Sequence, residues 1–375
     1  MSRAGQPYRL AAVYPSSEPA LSRFFVALDR LEPVRGISFE RANEFLQIAL
    51  GIYPRDPLRP SRVLIPSSAP RWRPRWHGPW LRRLLGDAQG VFLTRPEQAA
   101  LLPVLADRRV AYYAIDDYLH YRHFRPEDER ALIEAAVAVF VCSPALAERF
   151  VRDYGVARER LTVLPMGLPA RHVPAACPKS PGAVPGGRPA SRPVFGVIGA
   201  VNYRLRFDWL RHVVEALPWS HWLFVGYLER GRLTAAETAD LRVLEAHPRC
   251  VFTGKRDYDD LPSYAAAVDA AVIPYNDRTT NPCASPMRLF LQLPFGAPVV
   301  ATPGCRALED LVPLVRLTRS ADELATALTE LREAGFDDGL RERRWQMART
   351  ATWEQRAAVA WEAVRPYLAE REGRR

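Results

Sequence analysis

Short apolar runs and amphipathic stretches alternate along most of this chain. In the first half, residues 9–14, 62–66, 90–93, 110–114, 137–142 and 161–164 are compact apolar runs, the pattern of strands buried on both faces. Between them, 21–31, 96–105, 126–136 and 144–154 repeat apolar positions at helical spacing, and Ser143 is placed to cap the last of these. From 170 to 193 the periodicity stops and Pro, Gly, Ala and Ser dominate, which predicts a linker. Alternation then resumes, with strands at 194–198, 222–225, 250–253, 270–274 and 298–302. Helices are predicted at 207–216, 235–246, 261–267 and 287–293, followed by 321–334 and 352–370. Such alternation predicts parallel sheets covered by helices on both faces. We expect an α/β protein with one domain over 1–170, a linker over 171–193 and a second domain over 194–350, separated by a cleft. Open parallel sheets bind ligands at the carboxyl ends of their strands, so chemistry is sought in the loops there.

Composition sharpens this picture. Nearly half of the 375 residues are hydrophobic, enough for packed cores, and the net charge is +10. The excess is arginine, because Lys179 and Lys255 are the only lysines. It is also uneven: residues 1–190 hold 27 basic and 18 acidic side chains, whereas 191–375 hold 25 and 24. The first half is therefore expected to meet a phosphate-bearing ligand, a lipid surface or nucleic acid. No apolar run approaches the roughly 18 residues of a spanning helix. The first ten residues, with Arg3 and Arg9, lack the apolar core of a secretory leader. Five scattered cysteines without C-x-x-C spacing argue against a disulfide framework or zinc site, and a cytoplasmic setting is expected.

Residues 275–303 are the most informative. A polar loop follows the strand ending at Pro274, and a helix is predicted to start with Ser285 as N-cap and Pro286 in the first position. Its free N–H groups, with Met287 and Arg288 in the first turn, would bind a phosphate. The alternative is an ordinary loop–helix–strand unit with a surface arginine. A second station is Asp116-Asp117, after the strand at 110–114. One of two adjacent carboxylates, each raising the other's proton affinity, suits a general base. An N-cap or a salt bridge to Arg122 or Arg125 is the alternative. His120 and His123 nearby are expected to be polar surface. The third station is Trp72, Trp76 and Trp80, spaced by four among Arg71, Arg73, Arg75, Arg82 and Arg83. With Pro74 and Pro79 interrupting, it predicts a loop leading into a short amphipathic helix suited to an anionic membrane. Stacking on single-stranded nucleic acid, or burial of the tryptophans, are alternatives.

The run Ser285-Pro-x-Arg-Leu-Phe290, with Phe295-Gly-x-Pro-Val-Val-Ala-Thr302, resembles the donor-binding signature of GT-B glycosyltransferases, in particular bacterial enzymes of cell-surface polysaccharide synthesis. Ala114-Ile-Asp-Asp-Tyr118, Val141-Cys-Ser-Pro144, Leu164-Pro-Met-Gly167, Gly196-Val-Ile-Gly199, Val251-Phe-Thr-Gly254 and 269–275 agree in order, so the resemblance covers roughly 110–365. It implies two Rossmann-like domains facing a cleft, and a last helix within 351–375 that crosses back onto the first domain. It implies a nucleotide-diphosphate sugar, UDP- or GDP-linked, as co-substrate without a further cofactor, and a glycan or lipid-linked acceptor. Gly199 would admit the diphosphate, while Arg204 or Arg206 with Arg288 would neutralise it. Gly254, Lys255 and Arg256 would hold the base, and Tyr275 and Asn276 would line the site. Retaining members carry two carboxylates eight residues apart where this chain has Cys283 and Leu291. That departure favours an inverting reaction with Asp116 as base. Asp-Asp-Tyr is not the metal-binding Asp-x-Asp, so no metal is expected. Peripheral association with the inner face of the cytoplasmic membrane fits the tryptophan–arginine segment, and nucleic-acid binding is not expected. A nucleotide-sugar 2-epimerase and a non-catalytic scaffold are the competing functions.

Overall fold

The structure is a computed structural model describing residues 8–15, 19–41, 58, 60–65, 74–121, 124–189, 191–278 and 280–368. The chain divides into two compact units, Met1–Gly167 with Trp353–Arg375, and Leu168–Thr352.

In the first unit β1 (Leu10–Val13), β2 (Val34–Arg41), β3 (Ser61–Ile65), β4 (Gly90–Leu93), β5 (Arg109–Ala114), β6 (Ala136–Val141) and β7 (Leu161–Val163) form one parallel sheet in the order 3-2-1-4-5-6-7. Helices Pro19–Leu31 (α1), Pro74–Leu85 (α2), Pro126–Ala135 (α3) and Pro144–Tyr154 (α4) accompany them. Ser143 caps α4, its hydroxyl accepting from the Leu146 N–H at 3.0 Å, and Gly155 ends it in the left-handed conformation. The strand β2 has no pattern to announce it, since its sequence, VRGISFER, mixes charged and small residues. Pairing with β1 and β3 on either side makes it a strand nonetheless.

Pro79 does not break α2, contrary to the expectation of a loop. It removes one backbone donor in the second turn, while Gly78, Leu81 and Leu85 bury one face. The stretch 96–105 is a 3-10 helix, Pro96–Val104, again starting on proline.

In the second unit β8 (Val194–Ile198), β9 (His221–Val225), β10 (Cys250–Phe252), β11 (Ala270–Ile273), β12 (Val299–Ala301) and β13 (Arg316–Leu317) form a parallel sheet ordered 10-9-8-11-12-13. Helices Phe207–Ala216 (α5), Ala235–Ala246 (α6), Leu261–Ala265 (α7), Met287–Gln292 (α8), Ala321–Glu333 (α9) and Arg341–Thr350 (α10) complete the unit. The order reverses between β8 and β11, which opens a crevice at their carboxyl ends.

The proline-rich segment is not a free spacer. The Trp345 indole N–H donates to the Pro174 carbonyl (2.9 Å), the Gly182 N–H to the Ala266 carbonyl (2.8 Å), and Arg192 grips both Asp269 oxygens at 2.9 Å. These bonds strap it along the second unit. The predicted helix at 352–370 is Trp353–Val364 (α11), which packs in the first unit, with Trp353 edge-on to Phe24 of α1.

Candidate functional site

The crevice of the second sheet is built by glycines. The Gly199 N–H donates to the Val225 carbonyl at 2.7 Å, and the Gly226 N–H to the Gly254 carbonyl at 3.1 Å, so the loops after β8, β9 and β10 are stitched together. Gly199 (φ 118°) and Gly226 (φ 145°) lie in the region that favours glycine. A Cβ on Gly226 would collide with the Gly199 carbonyl, and one on Gly199 would stand 3.1 Å from Nη1 of Arg288.

Arg288 is 6% exposed, lies on α8 and reaches under this turn. Its Nη1 donates to the Ile198 carbonyl at 2.9 Å, its Nη2 donates to the Ala200 carbonyl, and its Cζ is 5.7 Å from the centre of the Tyr275 ring. Among the described residues no carboxylate pairs with it. Burial lowers its pKa, the neighbouring Arg204 charge adds to that, and Tyr275 opposes it. A buried guanidinium that no described carboxylate balances suits an anion that compensates it.

The other predicted donor residues divide. The Arg204 charge acts on Arg288, whereas Arg206 pairs with Asp208 (3.1 Å) and lies over Trp209, 4.4 Å from its ring centre. Tyr275 is buried, which raises its pKa. Asn276 is framework: its amide donates to the Tyr203 carbonyl (2.6 Å), and its Oδ1 accepts from the Arg278 N–H (3.2 Å). Gly254, Lys255 and Arg256 form an exposed turn after β10. Ser285 is not the N-cap. Pro286 occupies that position, Ser285 offers its backbone carbonyl to the Met287 N–H (2.8 Å), and α8 is only six residues long. So short a helix sums few peptide dipoles, and the positive field here comes from arginine side chains. Leu291, one of the positions where a carboxylate is missing, is buried in the core with Ile198, Val225 and Tyr264.

At the edge of the first sheet the acids are already engaged. Asp117 is buried. Its Oδ1 accepts from the Leu119 N–H (3.1 Å), capping the 3-10 turn Tyr118–His120, and lies 3.3 Å from Nε of Arg149. Arg149 also donates to Glu129 (2.8 Å), which accepts the hydroxyls of Tyr112 (2.9 Å) and Tyr154 (2.7 Å). Burial alone would lower the Arg149 pKa, but Glu129 and Asp117 outweigh it and raise the value. Asp117 is therefore a cap and ion-pair partner, tied to an arginine on α4, whereas Arg125 pairs with Glu127. Arg122 and His123 lie outside the described residues. Asp116 accepts the Asp117 N–H on Oδ1 (3.0 Å) and the Tyr121 hydroxyl on Oδ2 (3.0 Å). The Arg95 guanidinium, on the loop after β4, lies 5.8 and 5.5 Å from the Tyr118 and Tyr121 rings. Arg95, Tyr121 and Arg149 have no motif to announce them; only the neighbouring strands β4 and β5 and helix α4 bring them to Asp116 and Asp117.

On α2, Trp80 is 60% exposed beside exposed Arg82 and Arg83. Trp72 and Arg73 lie outside the described residues, as do the side chains of Arg75 and Trp76. Among the described residues no helix is long and apolar enough to cross a membrane.

No protein-family model matches the chain. TuaH of Bacillus subtilis (strain 168), provisionally named a teichuronic acid biosynthesis glycosyltransferase, is 27% identical over 165 residues, 43% of this chain. That match spans 40% of the relative's length. Among solved structures, HepE of Anabaena, crystallised with UDP and glucose, matches with TM-score 0.72 and 16% identity over 95% of this chain and 99% of its own. Sucrose-phosphate synthase of Thermosynechococcus elongatus matches with TM-score 0.69 and 17% identity over 96% and 99%. With two parallel Rossmann-like sheets and these structural counterparts, the chain has the GT-B glycosyltransferase fold.

Proposed function

We propose that this protein is a glycosyltransferase that takes a sugar from a nucleotide-diphosphate donor and passes it to a glycan or lipid-linked acceptor in surface polysaccharide synthesis. The observation that carries the proposal is the buried Arg288 guanidinium, which no described carboxylate balances, at the switch point of a doubly wound sheet. A diphosphate is the anion that Arg288 and the bare Gly199 backbone would accommodate. The same charge favours departure of the nucleoside diphosphate, because it stabilises negative charge as it develops. That HepE was crystallised with UDP and TuaH carries a glycosyltransferase name supports the reading.

Asp116 is proposed as the general base that removes the acceptor hydroxyl proton in an inverting displacement. Loss of carboxylates at Cys283 and Leu291 favours that course over a retaining one. Trp80, Arg82 and Arg83 are proposed to rest on an anionic membrane carrying the acceptor, with the protein in the cytoplasm. A donor screen with UDP- and GDP-sugars, scored by nucleotide release with and without membrane extract, tests the reading. Acceptor-dependent release supports transfer. Conversion of the sugar without acceptor would favour an epimerase, and absence of nucleotide binding in calorimetry would sink both.

A further inference from the structure

The loops at the carboxyl edge of the first sheet spend their charges on one another, but α11 brings in a charge that is not spent. Trp353 is the first residue of that helix and Arg356 closes its first turn. Arg356 is partly buried, its Nε is shut off from solvent without a hydrogen-bond partner, and among the described residues no carboxylate pairs with it. The acid of the same turn, Glu354, is taken by Arg30 of α1 at 3.0 Å. The helical neighbours of Arg356 are Trp353, Val359 and Ala360, none of them acidic. Burial lowers the Arg356 pKa, and the Tyr113 hydroxyl, which opposes this, already donates to the Leu164 carbonyl at 2.8 Å. Trp353 supplies a second, independent observation. It is 1% exposed, and its indole Nε1 has no hydrogen-bond partner, although buried indole N–H groups normally have one. Its ring lies 6.2 Å from that of Phe24, which in turn lies 5.2 Å from that of Tyr113. Tyr113 is the last residue but one of β5 and Leu164 follows β7, so this cluster sits toward the carboxyl ends of the strands, where open sheets take ligands.

We propose that Arg356 and the Trp353 indole N–H hold an oxyanion, a carboxylate or phosphate group carried by the acceptor. A guanidinium presents parallel N–H donors that fit two oxygens of either group, and the indole adds one more. Residues three apart on a helix stand on one side of it, so both can serve one ligand. The positive end of α11 favours the same sign of charge, whereas a neutral ligand would leave the arginine uncompensated. The proposal rests on the reading that the first unit takes the acceptor, and adds to it that the acceptor is acidic.

The test is heteronuclear NMR on the full chain, following the indole N–H signal of Trp353, which its loss in Trp353→Phe identifies. Inorganic phosphate and glucuronate are the two probes, with glucose and sodium chloride at matched ionic strength as controls. A saturable shift with phosphate, with glucuronate or with both is expected, and it tells which group the site takes. Arg356→Gln should weaken that anion roughly tenfold, and Arg356→Lys less, since lysine keeps the charge without the fork. Thermal melting controls for folding, and if Arg356→Gln does not fold, Arg356→Lys and the wild-type titration carry the test. No shift with either anion, an equal shift with glucose or chloride, or wild-type affinity in Arg356→Gln overturns the proposal. In transfer assays Arg356→Gln should raise the acceptor KM by a similar factor with UDP affinity unchanged, and an unchanged acceptor KM overturns the acceptor role. The titration needs no turnover, so a wild type that binds the anion but transfers no sugar fails the proposed function and leaves the oxyanion site standing.

Discussion

The two sheets end in loops of opposite electrostatic character. In the first unit the charged groups at the strand ends are satisfied by protein: Arg149 lies among Glu129, Asp117 and, more loosely, Asp153, and tyrosine hydroxyls take up remaining acceptors. In the second unit Arg288 is equally buried, yet its partners are two backbone carbonyls and an aromatic face. A buried charge that is compensated internally serves architecture, whereas one left uncompensated marks the place of a ligand. The gross composition points the other way, since the basic excess lies in the first half of the chain. Net charge describes a surface; the site is decided by which charges are left over after pairing.

That contrast is sharpest for the two arginines. Arg149→Met would strand two buried carboxylates, and we expect a loss of about 3–5 kcal/mol in urea unfolding. Arg288→Met should leave unfolding much closer to wild type while failing in binding. Equal stability losses for the two would break the comparison. Next in size is the acid pair. Asp116→Asn should lower transfer by roughly a hundredfold or more with a nearly unchanged melting temperature. Asp117→Asn should instead lower the melting temperature, because it weakens a capped, buried ion pair. Full transfer activity in Asp116→Asn would remove the base assignment.

For donor binding, Arg288→Met should weaken UDP roughly 30- to 100-fold, the effect of losing charge-assisted contacts. Arg206→Met should change it far less, since Arg206 is already committed to Asp208. The smallest effect belongs to the first unit's surface. Trp80→Ala should reduce sedimentation with anionic phosphatidylglycerol vesicles about threefold, and equal binding of wild type to neutral vesicles would remove the membrane claim.

Elements whose signal is local are legible in the linear sequence. The α4 cap at Ser143, the range of α5 and the strands flanking both candidate sites follow from residues within a few positions of each other. The failures share a different cause. Ser285 looks like a cap because Ser-Pro precedes an apolar run, but the chain enters α8 from a buried loop anchored by Asn276 and Asn281, and the turn starts one residue later. The separation of Arg204 from Arg206 depends on how the loop after β8 meets the loop after β11, where the Arg204 carbonyl accepts from the Asn276 N–H (2.9 Å) and the Asn281 amide (3.0 Å).

By itself, the sequence determined the alternation of strands and helices, the two-domain α/β architecture and which loops follow the strand ends. Periodicity and turn chemistry are short-range properties that a linear pattern records. Tertiary structure decided which acid is a cap and which buried arginine has no described carboxylate against it. Each of those depends on desolvation and charge compensation among residues tens of positions apart, and these arise only once the strands are ordered in the sheet.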